Sequence, residues 1–591
     1  MKLLLLLMIL YKPIPKVLFL TSSFDGRGVL PPGAHLVLEE FSRHGAEVYF
    51  HDKSIIYSPE SLKLFNIIIV PTSYGYHDVD RTLSLTYMDS ISMENLLEWV
   101  KNGGFLIAGG NVGRNTLSGR DRFISGSILD RKEWPLGRAF GFDMVEVNLK
   151  GFSLIKRKDC RLFDWFNSPV VDTIKDDDWI LLPVNQDRGV ENLMIWTNGK
   201  KKYGGVTLNK FGKGYAMLFT SFLLLHPSFD GGWADIPEIT RFYHNFFLFY
   251  LGLDKYSTGV DPWPSGKQAV LAITLDDGGK MGEYELTLKS LLSRVPGVTF
   301  FVTGVLDGEI LKFIKKFKEV ELGNHSYDHP FFRDLNLTQS IAEIKMTEKV
   351  IGKTDGFRFP YVNYTPEGFY ALWTHGFRYE SSIRVDHLNT FQGAIFPYNL
   401  VFSFGKNLIT SNLIELSPVK SDWFFYQKIY ADNYPEKEQI ESQKAYYSYL
   451  STMWEIIRDA RGVMVQMGHP MYQGHKKRFL EPLLKFIEDV KGEKSAWITT
   501  LGEVYRWWIL RNSVRVEVEE KKDKINYRFD NPGREIKGFS VWFDVESDKE
   551  PSVKFKNCKG YFFSRKHNGF LRYHLVLNLP SGRSGVEITI K

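Results

Sequence analysis

The stretch Ala269-Val270-Leu271-Ala272-Ile273-Thr274-Leu275-Asp276-Asp277-Gly278-Gly279 decides how the middle of this chain folds. Its first seven residues form a near-continuous apolar run, which is typical of a parallel strand buried on both faces. Two carboxylates and a glycine turn follow at once, and catalytic groups of α/β folds tend to lie where strands end at their carboxyl edge. The stretch therefore predicts a parallel α/β sheet with Asp276 and Asp277 at its functional edge.

A pair of histidines lies downstream, in Asn324-His325-Ser326-Tyr327-Asp328-His329. His325 and His329 are four residues apart, so one turn of helix or a helix-like loop would point both imidazoles the same way. That spacing suits two ligands of one metal ion. One aspartate and two histidines leave a coordination position open for water, which is the arrangement of a catalytic site rather than a structural one.

Four motifs occur in the order of a known family. They are Thr274-Leu275-Asp276-Asp277-Gly278, His325-Ser326-Tyr327-Asp328-His329, Arg358-Phe359-Pro360-Tyr361 and Met467-Gly468-His469-Pro470. With these motifs the segment resembles the polysaccharide deacetylases, carbohydrate esterase family 4, whose domain is also called the NodB homology domain. The resemblance covers residues 262–510 and implies a distorted (β/α) barrel, typically of seven strands.

The resemblance also implies a metal site and a base. Asp277, His325 and His329 would bind a divalent metal ion, usually zinc in this family, with cobalt or nickel as alternatives that the ligand types do not separate. The metal would lower the pKa of water and polarise the carbonyl of an N-acetyl amide. Asp276 would be the general base that takes a proton from the attacking water.

Three further motif positions complete the implied site. Arg358 would orient and charge-pair the base, and the backbone N–H of Tyr361, beside Pro360 in the groove wall, would join an oxyanion hole. His469 would be the general acid that protonates the leaving amine. The residue that orients His469 stays open between two segments, Tyr379-Glu380-Ser381-Ser382 and Asp422-Trp423.

Length and composition limit the alternatives. A chain of 591 residues is too long for one hydrophobic core, so about two to four domains are expected. A formal net charge of +6 is small for this length and, without a basic cluster among aromatics, does not indicate a nucleic-acid partner. The two cysteines, Cys160 and Cys558, predict neither a disulfide framework nor a Cys-x-x-Cys metal site.

Residues 1–15 contain an apolar run at 3–10 that is too short to cross a membrane. The run is near the lower limit for the apolar part of a signal peptide, and no small-x-small cleavage site follows it. Export therefore stays open, and no transmembrane span is expected in the chain. The sequence identifies no protein partner.

Residues 16–255 alternate strand-like and helix-like segments, which predicts a doubly wound parallel α/β domain. The pattern is similar to the class I glutamine-amidotransferase-like fold. The turn after Ile107 holds Gly109, Gly110 and Asn111 instead of a cysteine, so glutaminase chemistry has no nucleophile there. We expect a non-catalytic module with ordinary polar groups in its loops, among them Asp25, Arg27, His51 and His226.

Proline, glycine and serine in residues 256–266 predict a linker. The segment 262–510 then predicts strands at 268–275, 298–303, 318–323, 356–360, 377–382 and 462–467. It predicts helices near 283–294, 307–317, 338–352, 366–375, 437–459 and 476–491. Residues 386–435 show no clean period, and we expect them to form loops over the barrel mouth that set specificity.

From residue 512 onward apolar and polar residues alternate, which predicts a small β-sandwich at 512–591. Asn568-Gly569 is a hairpin signal. Trp542 or Tyr561 could bind sugar, although a packing or spacer module is the simpler interpretation.

Three hypotheses about function come from this sequence. The first is a metal-dependent hydrolase that removes N-acetyl groups from an amino-sugar polysaccharide, such as peptidoglycan, a chitin-like polymer or an exopolysaccharide. The second is an amidohydrolase or O-acetyl esterase that uses the same metal site on another substrate. The third is a glycan-binding protein of the cell envelope with a vestigial site.

Overall fold

The computed structural model describes residues 12–20, 28, 30, 34–71, 87–109, 112, 115–116, 136–142, 144–148, 152–157, 160–163, 170–173, 180–184, 186–220, 236–253, 256–385, 393–405, 407–426, 435–475, 478–546, 550–567 and 570–590. Asp25, Arg27, His226, Gly110 and Asn111 lie outside these residues, as does the apolar run at 3–10. Among the described residues, no helix is both long enough and apolar enough to cross a membrane.

The first region of the chain carries a mixed β-sheet with helices on both faces. Its strands are β1 Lys12–Pro13, β2 Lys16–Leu20, β3 Glu47–His51, β4 Ile67–Val70, β5 Tyr87–Met88, β6 Phe105–Gly109, β7 Asn115–Thr116, β8 Met144–Asn148, β9 Ser153–Lys156, β10 Val170–Thr173, β11 Ile180–Val184, β12 Glu191–Thr197, β13 Lys202–Phe211 and β14 Gly214–Phe219. Its helices are Ala34–Arg43, Pro59–Leu62, Ser90–Lys101, Gly137–Phe140 and Ile236–Leu251, with 3-10 turns at Lys53–Tyr57 and Arg161–Phe163. The main sheet of the described strands has the order β10-β9-β12-β13-β14-β6-β4-β2-β3.

The parallel half of this sheet, β3-β2-β4-β6-β14, is covered on both faces. Successive residues of β2, β4 and β6 belong alternately to two apolar cores, because side chains alternate across a strand. The doubly wound prediction therefore describes this half, but the expectation of a parallel sheet is wrong for β9, β12 and β13, which pair antiparallel. The resemblance to glutamine amidotransferases stays a prediction. His51 ends β3, where its Nδ1 lies 3.0 Å from Oδ1 of Asp52.

The middle region forms a curled half-barrel sheet. After β15 Thr258–Val260 its strands are β16 Ala269–Asp276, β17 Val298–Val302, β18 Val320–Asn324, β19 Gly356–Phe357, β20 Tyr379–Glu380, β21 Tyr398–Phe404, β22 Asn407–Glu415, β23 Val463–Gly468 and β24 Ala496–Thr499. Its helices are Met281–Leu292, Gly308–Ile314, Leu337–Ile351, Pro366–Thr374, Trp423–Tyr426, Glu436–Asp459, Pro470–Gln473, Leu480–Gly492 and Leu501–Asn512, with 3-10 turns at Pro264–Gly266, Phe332–Asp334 and Pro360–Val362. The order is β21-β22-β20-β19-β18-β17-β16-β23, and β24 also pairs with β16.

All six predicted strands of this region are present and parallel to their neighbours. The expectation of loops throughout 386–435 is wrong, because β21 and β22 form an antiparallel hairpin at the sheet edge. The first five residues of β21 are all buried, so the strand lacks the polar alternation that marks a half-exposed strand. Residues 386–392, 406 and 427–434 lie outside the described part of the chain.

The third region consists of two antiparallel sheets. Its strands are β25 Arg515–Lys521, β26 Lys524–Asn531, β27 Ile536–Val545, β28 Pro551–Lys556, β29 Lys559–His567, β30 Phe570–Leu579 and β31 Gly582–Ile590. The sheet orders are β1-β25-β26-β31-β28 and β15-β27-β30-β29. The predicted hairpin residues 568–569 lie outside the described residues, between the paired His567 and Phe570.

The segment 256–266, predicted as a linker, is tied to the third region, because β15 pairs with residues Val541 to Phe543 of β27 and one apolar core runs from the first region to the third. Trp542 is 1% exposed, which fits the packing role that the sequence favoured over sugar binding. Tyr561 is exposed. The domain boundaries stay predictions.

Candidate active site

The predicted site residues gather at the carboxyl edge of the half-barrel. Asp276 is the last residue of β16, and His325, Arg358 and His469 directly follow β18, β19 and β23. Parallel neighbouring strands end at the same edge, so these side chains meet there. Gly278 (φ +135°) turns the chain away after the two aspartates, in a backbone conformation that glycine adopts without steric cost.

Arg358 and Asp276 form a buried ion pair. Nη1 of Arg358 donates to Oδ1 of Asp276 at 2.7 Å and to Oγ1 of Thr274 at 2.8 Å, and the guanidinium lies 4.3 Å from the ring centre of Phe301. Burial raises the pKa of Asp276, but the charge of Arg358 with those of the nearby histidines outweighs it, and the pKa is lowered. Asp276 is therefore held as a carboxylate.

Arg358 is itself fixed from the other side. Its Nε donates to the carbonyl of Ser381 at 2.7 Å and its Nη2 to Oγ of the same serine at 2.8 Å. These bonds use the rigid fork of the guanidinium, which a lysine could not reproduce. Arg358 is thus placed to orient Asp276, and its predicted role in catalysis stays a prediction.

Asp422 holds His469. Oδ1 of Asp422 lies 2.7 Å from Nδ1 of His469, and its Oδ2 accepts the backbone N–H of the same residue at 2.8 Å. Nε2 of His469 then faces Asp276, 3.9 Å from its Oδ2. Burial lowers the pKa of His469, but the charge and hydrogen bond of Asp422 outweigh it, and the pKa is raised.

The segment Tyr379-Glu380-Ser381-Ser382, the other candidate for orienting His469, has different tasks. Ser381 supports Arg358, and Oγ of Ser382 accepts the backbone N–H of Phe359 at 2.9 Å. Glu380 is fully buried beside Glu415, and burial raises the pKa of both carboxyls. Two carboxyls in such contact share a proton rather than carrying two charges.

Asp277 lies beside Asp276 and points to the next strand. Its Oδ2 accepts from the backbone N–H of Thr303 at 3.0 Å and from the hydroxyl of the same residue. Burial raises the pKa of Asp277 to about 6, the direction expected for a carboxylate without a cation beside it. One carboxylate oxygen is thus occupied, and the other remains available as a ligand.

His325 is held as a neutral imidazole. Its Nδ1 lies 2.7 Å from the carbonyl of Arg358, which fixes the proton on Nδ1 and leaves the lone pair on Nε2. Burial lowers its pKa to about 3. His329, with its ring centre 4.9 Å from that of His325, also has a pKa lowered by burial.

The loop that carries both histidines is held in an unusual backbone conformation. Ser326 (φ +69°) and His329 (φ +63°) both lie in the left-handed region. Glu343 accepts the backbone N–H groups of Tyr327 and Asp328 at 2.8 and 3.2 Å. Strained residues that persist under such support cluster at functional sites.

The donor set of Asp277, His325 and His329 fits a divalent metal, with one carboxylate and two neutral imidazoles. Their coordinating atoms are not all within 4.8 Å of one another, whereas those of another group among the described residues, Glu40, His44 and His244, are.

A cavity of about 740 Å³ opens over these residues. Six of the residues predicted for the site line this cavity: Asp276, Asp277, His325, His329, Tyr361 and His469. Tyr361 (φ +58°) is 56% exposed and stacks on Phe331 with ring centres 4.1 Å apart. Trp423 lies on the opposite rim. Buried Pro360 begins the 3-10 turn that presents Tyr361.

The sequence patterns did not identify Thr303 and Glu343, and they offered Ser381 only as part of a segment that would orient His469. Thr303 directly follows β17, the strand next to β16, so its position at a strand end was the available signal. Ser381 supports Arg358, and Glu343 supports the histidine loop, through contacts that no spacing in the sequence encodes.

Residues 264–379 match the family model described as polysaccharide deacetylase. Over these residues the chain is similar to polysaccharide deacetylases. The matched residues include Asp276, His325 and Arg358 and end before Asp422 and His469.

One curated relative is the peptidoglycan-N-acetylmuramic acid deacetylase PdaC of Bacillus subtilis (strain 168), 33% identical over 112 residues. The alignment covers 18% of this chain and 22% of that protein, so the chain spans about a fifth of the relative it matches. Similar solved structures include the chitin deacetylase of Colletotrichum lindemuthianum (17% identity, 41% of this chain, 88% of that chain, TM-score 0.27). Another is Puue allantoinase (15% identity, 42% and 92%, TM-score 0.31).

Proposed function

We propose that this protein is a metal-dependent hydrolase that removes N-acetyl groups from an amino-sugar polysaccharide and releases acetate. The observation that carries the proposal is the connected set Asp422–His469–Asp276–Arg358, of which Asp276 and His469 line the same cavity as Asp277, His325 and His329.

Asp276 and His469 face each other, and their pKa values are shifted in opposite directions. The pKa of Asp276 is lowered and that of His469 is raised, so at neutral pH the first is ready to accept a proton and the second to donate one. Such divergent environments assign the base and the acid of a hydrolytic pair. Asp276 takes the proton of the attacking water, and Nε2 of His469 protonates the amine nitrogen as the C–N bond breaks.

Asp277, His325 and His329 would hold the divalent ion. When bound, it lowers the pKa of water and polarises the acetyl carbonyl. The carbonyl of Arg358 keeps His325 in the tautomer that can bind it. Arg358 and Asp422 fix the base and the acid in their rotamers, and the aromatic rim of Phe331, Tyr361 and Trp423 offers flat surfaces for sugar rings.

The test is acetate release from peptidoglycan, N-acetylglucosamine oligomers and acetylated xylan, with the metal content of each sample measured by mass spectrometry. Peptidoglycan comes first because the similar B. subtilis protein is named for it. Asp276→Asn and His325→Ala are each expected to lose at least about 10²-fold in kcat/KM, and His325→Ala also to lose metal. His375→Ala, a histidine bound to its own helix, is the matched control.

Full activity of Asp276→Asn would contradict the proposal. Release of acetate from xylan but not from any amino sugar would replace it with the esterase hypothesis. Binding to glycans without turnover, at full metal loading, would favour the vestigial site.

A further inference from the structure

A second cluster of metal-binding side chains lies far from the deacetylase cavity. Glu40 and His44 are four residues apart at the end of the helix Ala34–Arg43, so both face one side. Gly45 (φ +95°) ends that helix, and a glycine in this conformation is a common helix stop. His244, on the helix Ile236–Leu251, completes the group.

The coordinating atoms of the three residues converge. Oε1 of Glu40 lies 3.4 Å from Nδ1 of His44 and 3.5 Å from Nδ1 of His244, and Nδ1 of His244 lies 2.9 Å from Nε2 of His44. Ligands about 2.1 Å from a tetrahedral zinc are about 3.4 Å apart. Oε1 of Glu40 and Nδ1 of His244 already have about this separation, and Nδ1 of His244 and Nε2 of His44 need to part by about 0.5 Å to reach it.

Two of the three ligands, His44 and Glu40, have the second contact that metal sites use. Nδ1 of His44 lies 2.8 Å from the backbone carbonyl of Glu40, so its proton is there and the lone pair is on Nε2, toward His244. Nη1 of Arg43 lies 3.1 Å from Oε2 of Glu40, the oxygen that faces away from the histidines. Glu40 and His44 are each 2% exposed.

Two of the arginines that line the neighbouring cavity already have carboxylate partners. Arg461 is paired with Asp261, and Arg572 makes two hydrogen bonds of 2.7 Å with Asp544. The cluster borders a cavity of about 620 Å³ between the three regions, which leaves room for a fourth ligand such as water. Trp542 covers His44, with ring centres 5.5 Å apart.

We propose that Glu40, His44 and His244 form a second site for a divalent transition metal of the zinc class, which ties the end of the helix Ala34–Arg43 to the helix Ile236–Leu251. A neutral imidazole pair and one carboxylate are borderline-soft ligands that select zinc, cobalt or nickel over magnesium or calcium. The tie also fixes the first region against β15, because the backbone carbonyl of His44 accepts the backbone N–H of Val260 at 2.9 Å.

The experiment measures zinc per chain after dialysis in five proteins: wild type, His244→Gln, His325→Ala, the double variant His244→Gln/His325→Ala, and the control Arg241→Ala. His244→Gln keeps the size and hydrogen-bonding capacity of the side chain but is a poor ligand. It is expected to lose one equivalent of zinc in both backgrounds, whereas Arg241→Ala, an exposed residue one turn away, is expected to lose none. Binding at this site is thus counted separately from the proposed catalytic site.

A second measurement distinguishes a variant that loses zinc because a ligand is missing from one that loses zinc because it misfolds. In the His325→Ala background, zinc at about 100-fold above its Kd is expected to raise the melting temperature by about 5 °C, and adding His244→Gln is expected to remove that rise. Cobalt in place of zinc is expected to give the visible absorption of a four-coordinate site. Equal zinc content with and without His244→Gln, or no rise in melting temperature with zinc, would show that the cluster is a hydrogen-bonded triad only and overturn the proposal.

Discussion

Asp422 holds His469 with both of its carboxylate oxygens, one on the ring nitrogen Nδ1 and one on the backbone N–H, although the two residues are 47 positions apart. The double contact fixes the ring, its tautomer and the turn after β23 together. A fully buried carboxylate at this position also raises the pKa of His469. One residue therefore sets both the direction and the acidity of the proposed general acid.

Asp422→Asn is expected to lower kcat by about 10- to 100-fold, since the amide can still bond to the histidine but brings no charge and favours the wrong tautomer. The loss of the negative charge lowers the pKa of His469. Because the acid works only while protonated, the alkaline limb of the profile of kcat against pH should move to lower pH. The measurement is acetate release as a function of pH on both sides of the ordinary histidine pKa of about 6.5.

Asp459→Asn, which removes an exposed aspartate, is the control for Asp422→Asn and should leave the profile unchanged. A lower kcat with an unmoved alkaline limb would mean that Asp422 acts on geometry alone.

Arg358→Lys is expected to reduce both stability and activity strongly, although the positive charge is kept. A lysine cannot bond at once to Asp276, Thr274 and both oxygens of Ser381, so buried acceptors lose their partners, at a cost of about 3–5 kcal/mol in the free energy of unfolding. Activity should fall by at least about 10²-fold, measured well below the melting temperature. Arg378→Lys, at an exposed position, should behave as wild type. Near-normal activity of Arg358→Lys would show that charge alone suffices.

The sequence predicted the site residues at the ends of strands better than those in the long loops. The run before Asp276 and the runs of β17 and β23 are almost continuously apolar, and each predicts a buried strand. The ends of these strands and the polar residues that follow them could therefore be placed. Asp422 lies in a segment with no periodicity, and its contact with His469 depends on how that segment folds back over β23. The hairpin of β21 and β22 was missed for the same reason.

The aromatic rim is expected to distinguish polymers from small substrates. Tyr361→Ala removes a ring that is exposed and stacked on Phe331, so it should raise KM for an oligosaccharide several-fold, in keeping with about 1 kcal/mol for one aromatic contact. The backbone N–H of residue 361 remains, so kcat should change little. Tyr561→Ala, an exposed tyrosine of the third region, is the matched control. An equal rise in KM for both variants would place sugar binding outside the cavity.

Asp261 joins the middle and third regions through charge, and its loss is expected to destabilise the whole chain. It is 1% exposed and pairs with Arg461 and with Nδ1 of His574 at 3.0 Å. Asp261→Asn leaves the buried guanidinium without its counter-ion, at a cost of about 3–5 kcal/mol, measured by urea denaturation at pH 7. Asp459→Asn should stay within about 0.5 kcal/mol of wild type.

The ion pair of Asp261 with Arg461 also predicts how the stability difference between wild type and Asp261→Asn depends on pH. Burial raises the pKa of Asp261, but the charges of His574 and Arg461 outweigh it, and the pKa in the folded protein lies below its usual range. The stabilisation by this carboxylate is therefore complete above the unfolded-state pKa of about 4 and declines as the pH falls below it. The gap in stability between wild type and Asp261→Asn should accordingly narrow from pH 5 to pH 3, a range set by that pKa of about 4. A gap that stays constant over this range would show that the aspartate contributes through packing and hydrogen-bond shape rather than through its charge.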